Sequence, residues 1–131
     1  MAGSNFKETK IAIDTLFNDN WTMTPIHYSG QEFDATDIDK WINIIYDPTV
    51  GSISGVSGSS TTSNGDVSIV CWASDDFDAS ELADDVIAVF FANLPSDISS
   101  IRYEINDKGF DQNGKAYIAL TFPIKSFITV C

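Results

Sequence analysis

Apolar residues recur at helical spacing most clearly between residues 78 and 95. The sequence there, DASELADDVIAVFFANLP, repeats apolar side chains at intervals of three and four, which predicts a helix with one broad buried face. Asp78 can cap the first turn, with Glu81 three residues later, and Pro95 ends the helix because proline cannot donate the next hydrogen bond. We expect this helix to lie on an apolar sheet as part of the scaffold.

The sequence predicts a second, shorter helix over residues 5–18. Asn5 can cap it, and Glu8 stands three residues later, where a capping box places an acidic side chain. Four apolar residues share one face of this helix: Phe6, Ile13, Leu16 and Phe17.

Alternating and β-branched runs predict the strands of a single sheet. The predicted strands span residues 24–28, 40–46, 66–73, 101–106 and 115–122. Residues 106–114 are predicted as a loop, and Pro123 as a break or bend after the last strand. The order of elements indicates an α+β fold, a mainly antiparallel sheet with two helices packed on one face. The other face would hold half-exposed aromatic residues such as Trp72, Tyr103 and Tyr117.

Residues 49–65, TVGSISGVSGSSTTSNG, consist almost entirely of glycine, serine and threonine. Such a segment buries little surface, and a loop of this length in a compact domain is usually functional or disordered. Three apolar residues spaced by three interrupt it, which a pure linker does not need: Val50, Ile53 and Val56. We predict a long β-hairpin arm that is flexible in the free protein, and its ordering on a partner stays open.

Length, composition and charge narrow the range of functions. A chain of 131 residues with 44% apolar residues suits one domain over residues 1–131, with enough material for a hydrophobic core. The net charge is −12, from 19 acidic and seven scattered basic residues, so no basic stripe exists to bind a phosphate backbone. The acidity serves solubility, or it forms a surface that repels a polyanion.

Cysteine content and terminal composition bear on the compartment. Cys71 and Cys131 are the only cysteines, which is too few for a disulfide framework. The first ten residues lack the apolar segment of a secretory signal, and no apolar run approaches the ~18 residues of a membrane span. These features predict a protein of the cytosol without a membrane partner.

Candidate chemistry is sparse. His27 is the only histidine, so any Ser–His or Cys–His pair would have to use it, and a partly buried structural role suits it better. One histidine and two distant cysteines cannot form a zinc site within one chain. The carboxylates of Asp75, Asp76 and Asp78 fail the spacing of a calcium loop, since Glu81 stands where glycine is required. We predict no catalytic, cofactor or metal site, although 19 acidic residues leave a carboxylate pair for glycoside hydrolysis open.

The order of landmarks along the chain extends over nearly its whole length. After the N-terminal helix and around the arm of residues 49–65 stand Trp21, Pro25, Phe33, Trp41, residues 65–69 (GDVSI), residues 81–86 (ELADDV), residues 90–91 (FF) and residues 114–117 (GKAY). In order and length this pattern resembles the tail terminator proteins of long-tailed bacteriophages, also called tail completion or minor tail protein U-like proteins.

The resemblance implies a non-enzymatic virion protein that is assembled in the host cytoplasm. Such proteins form a hexameric ring on the end of the tail tube, stop tube polymerisation and offer a docking face to the neck or head completion protein. DNA would pass through the ring without specific binding. The subunit or tube contacts would be Val50, Ile53 and Val56. The DNA-repelling lumen would use a group of clustered carboxylates: Asp75, Asp76, Asp84 and Asp85.

Two other interpretations stay open. One is a different phage neck or head–tail joining protein that would also assemble as a ring. The other is a small ligand-binding or hydrolase domain of the α+β class. A pocket lined by Tyr28, Trp72 and Tyr117 would favour this second interpretation.

Overall fold

A computed structural model describes residues 5–34, 38–54, 60–95, 98–100, 102–111 and 114–129. The elements follow one another as α1 (Asn5–Asn20), β1 (Ile26–His27), β2 (Trp41–Ser54), β3 (Ser60–Ala73), α2 (Asp76–Ala92), β4 (Ile98–Ser99), β5 (Glu104–Phe110) and β6 (Ala116–Thr129). The fold is α+β, as the sequence predicts. Neither helix within these ranges is long and apolar enough to cross a membrane.

The six strands form one open, mostly antiparallel sheet. Its order is β1-β2-β3-β6-β4, and β5 also pairs with β6. The β1–β2 pair is parallel and the others are antiparallel. β5 lies opposite residues 116–121 of β6, whereas β4 lies opposite Lys125 and Ser126. One side of the sheet therefore ends in β1 and β2, and the other ends in β5 and β4.

Both helices cover the same face of the sheet and form one core with it. From the sheet, the buried side chains include Ile42, Ile44, Val67, Ile69, Cys71, Ile118, Leu120 and Phe122. From the helices they include Ile13, Leu16, Phe17, Leu82, Val86 and Phe90. Phe90 of α2 stacks on Phe122 of β6, with ring centroids 4.1 Å apart. Each large side chain buried in this way stabilises the fold by about 1.5–3 kcal/mol before conformational entropy is counted.

The cap of α2 differs from the prediction. The helix begins at Asp76, and its N-cap is Asp75, whose extended backbone has φ −141°. The Asp75 carboxylate accepts a hydrogen bond of 2.8 Å from the backbone N–H of Asp78. Asp78, the predicted cap, is therefore the donor of this bond. The helix ends at Ala92, before Pro95 could stop it. Several carboxylates occur close together here, so spacing alone could not choose among them.

The predicted hairpin arm is present, and it contains a third strand. β2 and β3 stay paired out to Ser54 and Ser60, and the end of β6 pairs with the start of β3 as far as Thr129. Val50 and Ile53 belong to β2, whereas Val56 lies outside the described residues. The C-terminal strand therefore extends along the arm. The flexibility of the arm stays a prediction.

The predicted break at Pro123 is wrong, because β6 continues through it. Pro123 lies opposite Asp66 of β3, and its carbonyl accepts a hydrogen bond of 2.8 Å from the Ser100 hydroxyl on the other side of the strand. The N–H and C=O of one strand residue point to the same side. The missing N–H of Pro123 therefore faces away from β3 and costs no bond in the β3–β6 ladder.

The strand predicted at residues 101–106 is shifted towards the C-terminus, and much of the predicted loop at 106–114 is β5. The register shifts between Asp107 and Gly109, and Gly109 takes a positive φ of 78° that favours glycine. The Asp107 carboxylate accepts a hydrogen bond of 3.0 Å from the Gly109 N–H and stabilises this bulge. Glycine and aspartate that suggest a loop in the sequence thus form a strand irregularity.

Candidate subunit interface

The outer edge of β5 presents backbone groups to solvent. The Asp111 N–H donates to the Lys115 carbonyl at 2.9 Å, so Lys115 and the odd-numbered residues that follow it in β6 face β5. Ala119 lies opposite Asn106, which therefore bonds to β6. The intervening residue Ile105 directs its N–H and C=O away from β6, towards an edge where the described residues place no further strand. Edges of this kind accept a strand from another chain.

The opposite edge of the sheet is only partly covered. β1 pairs with β2 at Ile42 and Asn43 alone, and Ile42 donates its N–H to the Pro25 carbonyl at 3.3 Å. Farther along β2, from Tyr46 to Ser54, no described strand lies against this edge. Among the described residues, the sheet thus has two edges without a paired strand, and these edges differ in sequence and lie on opposite sides of the sheet.

Apolar side chains are exposed along α2 and on the helix-covered side of β5. We call this surface, with the carboxylates beside it, the α2–β5 groove and define it by Asp76, Phe77, Asp84, Phe91, Tyr103, Ile105, Asp107 and Phe110. Phe77 is 85% exposed, Phe110 60% and Ile105 55%. The rings of Phe91 and Tyr103 approach to 6.1 Å and connect the helix wall to the strand. Clustered exposed apolar residues on a domain surface mark an interaction site.

Carboxylates lie among these apolar groups. The Asp76 side chain, in the first turn of α2, makes a hydrogen bond with that of Asp107 in β5, and this bond is the main cause that raises the pKa of Asp76. Desolvation and the charges of Asp107 and Asp75 raise the same pKa further. Asp84 is exposed two helical turns farther along α2. The groove is therefore acidic as well as apolar.

The four carboxylates predicted to line a lumen take different positions. Asp75 caps α2, Asp76 contacts β5, and Asp84 and Asp85 lie about 100° apart around the helix. The Asp85 flank of α2 also carries Asp78, which makes an ion pair of 3.8 Å with Lys40. The structure thus brings Asp76 and Asp84 to one flank of α2 and Asp85 to the other.

A row of aromatic rings crosses the uncovered face of the sheet. Trp41 stacks on Trp72 with centroids 5.4 Å apart, and Trp72 stacks on Tyr117 at 4.5 Å. Phe33 continues the row from Trp41, and His27 stacks on Phe33 at 5.0 Å. The half-exposed positions of Trp72 and Tyr117 are as predicted. Trp41, Trp72 and Tyr117 lie opposite one another on neighbouring strands. Aligning the three predicted strands by these aromatic positions could have revealed the row.

Tyr103 and Tyr28 do not lie on that face. Tyr103, predicted there, contacts Phe91 and Phe122 on the helix-covered side instead. Tyr28 lines a cavity of ≈ 260 Å³ beside α1, with Asp14, Thr15, Asn18 and Gln31. The sheet separates Tyr28 from Trp72 and Tyr117, so these three residues do not share a pocket. Tyr28, Trp72 and Tyr117 therefore do not form the pocket that would favour the ligand-binding interpretation.

The side chains of His27 and Cys71 lie in surroundings that suit a structural role. The Nε2 of His27 lies 2.8 Å from the Gln31 carbonyl oxygen, which together with its stacking fixes the ring. Cys71 is fully buried, and burial raises the pKa of its thiol to about 12, so little reactive thiolate exists at neutral pH. Across the described ranges, no three His, Cys, Asp or Glu side chains are grouped so that they could hold a metal ion.

No protein-family model matches this chain, and no curated protein matches it either.

Proposed function

We propose that this chain is a structural protein that assembles head to tail into a closed ring. The observation that carries the proposal is the pair of unlike free edges, β5 on one side of the open sheet and β2 beyond β1 on the other. A contact between two different surfaces repeats from copy to copy and closes into a ring when the rotation permits. An edge-to-edge contact would also satisfy backbone groups that each copy leaves open.

The strand directions suit such a ring. β2 and β5 run in opposite directions, because three successive antiparallel pairs separate them. Rotation about a ring axis that runs along the strands keeps the strand direction of every copy the same and keeps the helix-covered face on the same side of the ring. β5 of one copy would therefore meet β2 of the next as an antiparallel pair, the more readily formed arrangement.

We assign the ring to the end of a bacteriophage tail tube, in keeping with the resemblance of the sequence to tail terminators. The three-stranded arm, with Val50 and Ile53 in β2, would meet the tail tube or the neck protein. Each copy brings a net charge of −12, so a lumen lined by part of that charge would let DNA pass without holding it. The protein would act as a virion component and not as an enzyme.

Purified tail tube protein from a long-tailed phage, allowed to polymerise, tests this assignment. The protein is added to tubes during polymerisation, and tube lengths and tube ends are measured by negative-stain electron microscopy. We expect shorter tubes with a ring-shaped density at one end. Unchanged tube lengths and bare ends, with a ring-forming protein in solution, would contradict the tail assignment while leaving the ring itself intact.

A further inference from the structure

We propose that the α2–β5 groove receives helix α1 of a second copy of this chain. The inference rests on the head-to-tail assembly proposed above. It adds a contact between helices to the contact between sheet edges. The groove offers Phe77, Ile105 and Phe110 to solvent at more than half of their surface. Exposed large apolar side chains are the part of this surface that gains most from being covered.

The charges of the groove define the chemistry of its occupant. Asp76 and Asp107 join at one end, and Asp84 lies between the positions of Phe77 and Phe91 on the helix wall. A fitting segment must therefore carry cationic side chains next to an exposed apolar one, over a length similar to α2. A second groove cannot be the occupant, because a symmetric pairing would bring these carboxylates together.

Helix α1 has this chemistry on one flank, which we call the α1 flank and define by Lys7, Lys10, Ile11 and Asp14. Lys7 and Ile11 are four residues apart, as are Lys10 and Asp14, so the four side chains lie along one side of the helix. Ile11 is 48% exposed. The carboxylate of this flank, Asp14, accepts a hydrogen bond of 2.6 Å from the Tyr46 hydroxyl.

The position of the α1 flank matches that of the groove. The bond to Tyr46 fixes α1 over β2, and the Lys10 ammonium lies 5.6 Å from the Tyr46 ring. The groove lies at the other side of the same helix layer, along β5. When β5 of one copy pairs with β2 of the next, the α1 of that next copy comes to lie beside the groove. The sheet and the helix layer would then continue together across the interface.

Charge reversal tests the contact. Asp84→Lys alone and Lys7→Glu alone should each weaken assembly about tenfold or more, and the double variant in one chain should restore it, because each interface then again joins opposite charges. Asp85→Lys is the matched control, since it makes the same charge change on the opposite flank of α2, outside the groove. Equal effects of Asp84→Lys and Asp85→Lys would overturn the proposal, because net charge would then explain both.

Cross-linking gives a second test that does not depend on affinity. In a Cys131→Ser background, Ile11→Cys and Ile105→Cys chains are purified separately, mixed before assembly, assembled in solution or on tail tubes, and treated with a bismaleimide. We expect covalent dimers in the mixture and none between two Ile105→Cys chains. Rings without the mixed dimer would overturn the groove proposal alone. Chains that assemble neither in solution nor on tubes would overturn both the groove and the ring.

Discussion

The side chains of Asp76 and Asp107 join the first turn of α2 to the edge strand β5 through a hydrogen bond between two carboxyl groups. Two carboxyl groups make this bond well only when one of them holds a proton, which is why the pKa of Asp76 is raised from its ordinary value of 3.8. The edge strand that we assign to the subunit interface is thus attached to the helix by a contact that depends on pH.

The first prediction concerns this pH dependence. A folded-state pKa above the unfolded value adds stability that is fully present below the unfolded pKa and is lost as pH rises through the folded one. The wild-type contact should therefore weaken as pH rises above 3.8. Asp107→Asn keeps an oxygen for the Gly109 N–H and lets the amide donate to Asp76, so it should raise the thermal unfolding midpoint at pH 7 more than at pH 3.5. Asp84→Asn is the control, and an equal gain from it would contradict the prediction.

The second prediction concerns the cap of α2. Asp75→Ala removes the acceptor of the Asp78 N–H and should lower the free energy of unfolding by about 0.5–2 kcal/mol. Asp78→Ala removes only an exposed ion pair with Lys40 and should cost less. Chemical denaturation of the two variants compares them directly. A larger loss for Asp78→Ala would return the cap to the position that the sequence suggests.

The third prediction separates the two roles of phenylalanine in α2. Phe90 is fully buried against Phe122, so Phe90→Ala should cost about 3–5 kcal/mol. Phe77 is 85% exposed, and Phe77→Ala should change the free energy of unfolding by no more than about 0.5 kcal/mol. We expect the same Phe77 variant to weaken assembly. Strong destabilisation by Phe77→Ala would show that this ring is part of the core.

The fourth prediction concerns the free backbone of β5. Ile105→Pro removes an N–H that points away from β6, so the monomer should stay folded by circular dichroism while assembly is lost. Ile105→Thr keeps the N–H and should retain more assembly. Asn106→Pro, whose N–H faces β6, should instead destabilise the monomer. Normal assembly of a folded Ile105→Pro chain would exclude strand addition at this edge.

The periodicity of the sequence predicted the scaffold well, because burial on one face imposes the pattern directly. The apolar stripe of α2 and the alternation in β3 and β6 lead to the observed core. The errors fall where local signals compete. A proline usually interrupts an internal strand. Pro123 does not, because its backbone faces Ser100 and not β3, and only the three-dimensional pairing reveals this.

The candidate interface was harder to predict than the core. Phe77, Ile105 and Phe110 have the composition of buried residues, and no pattern in the chain says that α2 leaves them exposed. The approach of Asp107 to Asp76 depends on the pairing of β5 with β6, which sequence spacing placed wrongly. Of the residues predicted as contacts, Val50 and Ile53 lie in the paired arm, whereas Val56 falls outside the described residues.

The mass of the assembled protein distinguishes a ring from a monomer. Light scattering over a concentration series, with negative-stain imaging of the same fractions and of tail tubes incubated with the protein, measures the number of copies and their arrangement. We expect closed rings of about six copies, the number that the resemblance implies, in solution or on tube ends. A chain that stays monomeric at every concentration and leaves tube ends bare would contradict this expectation.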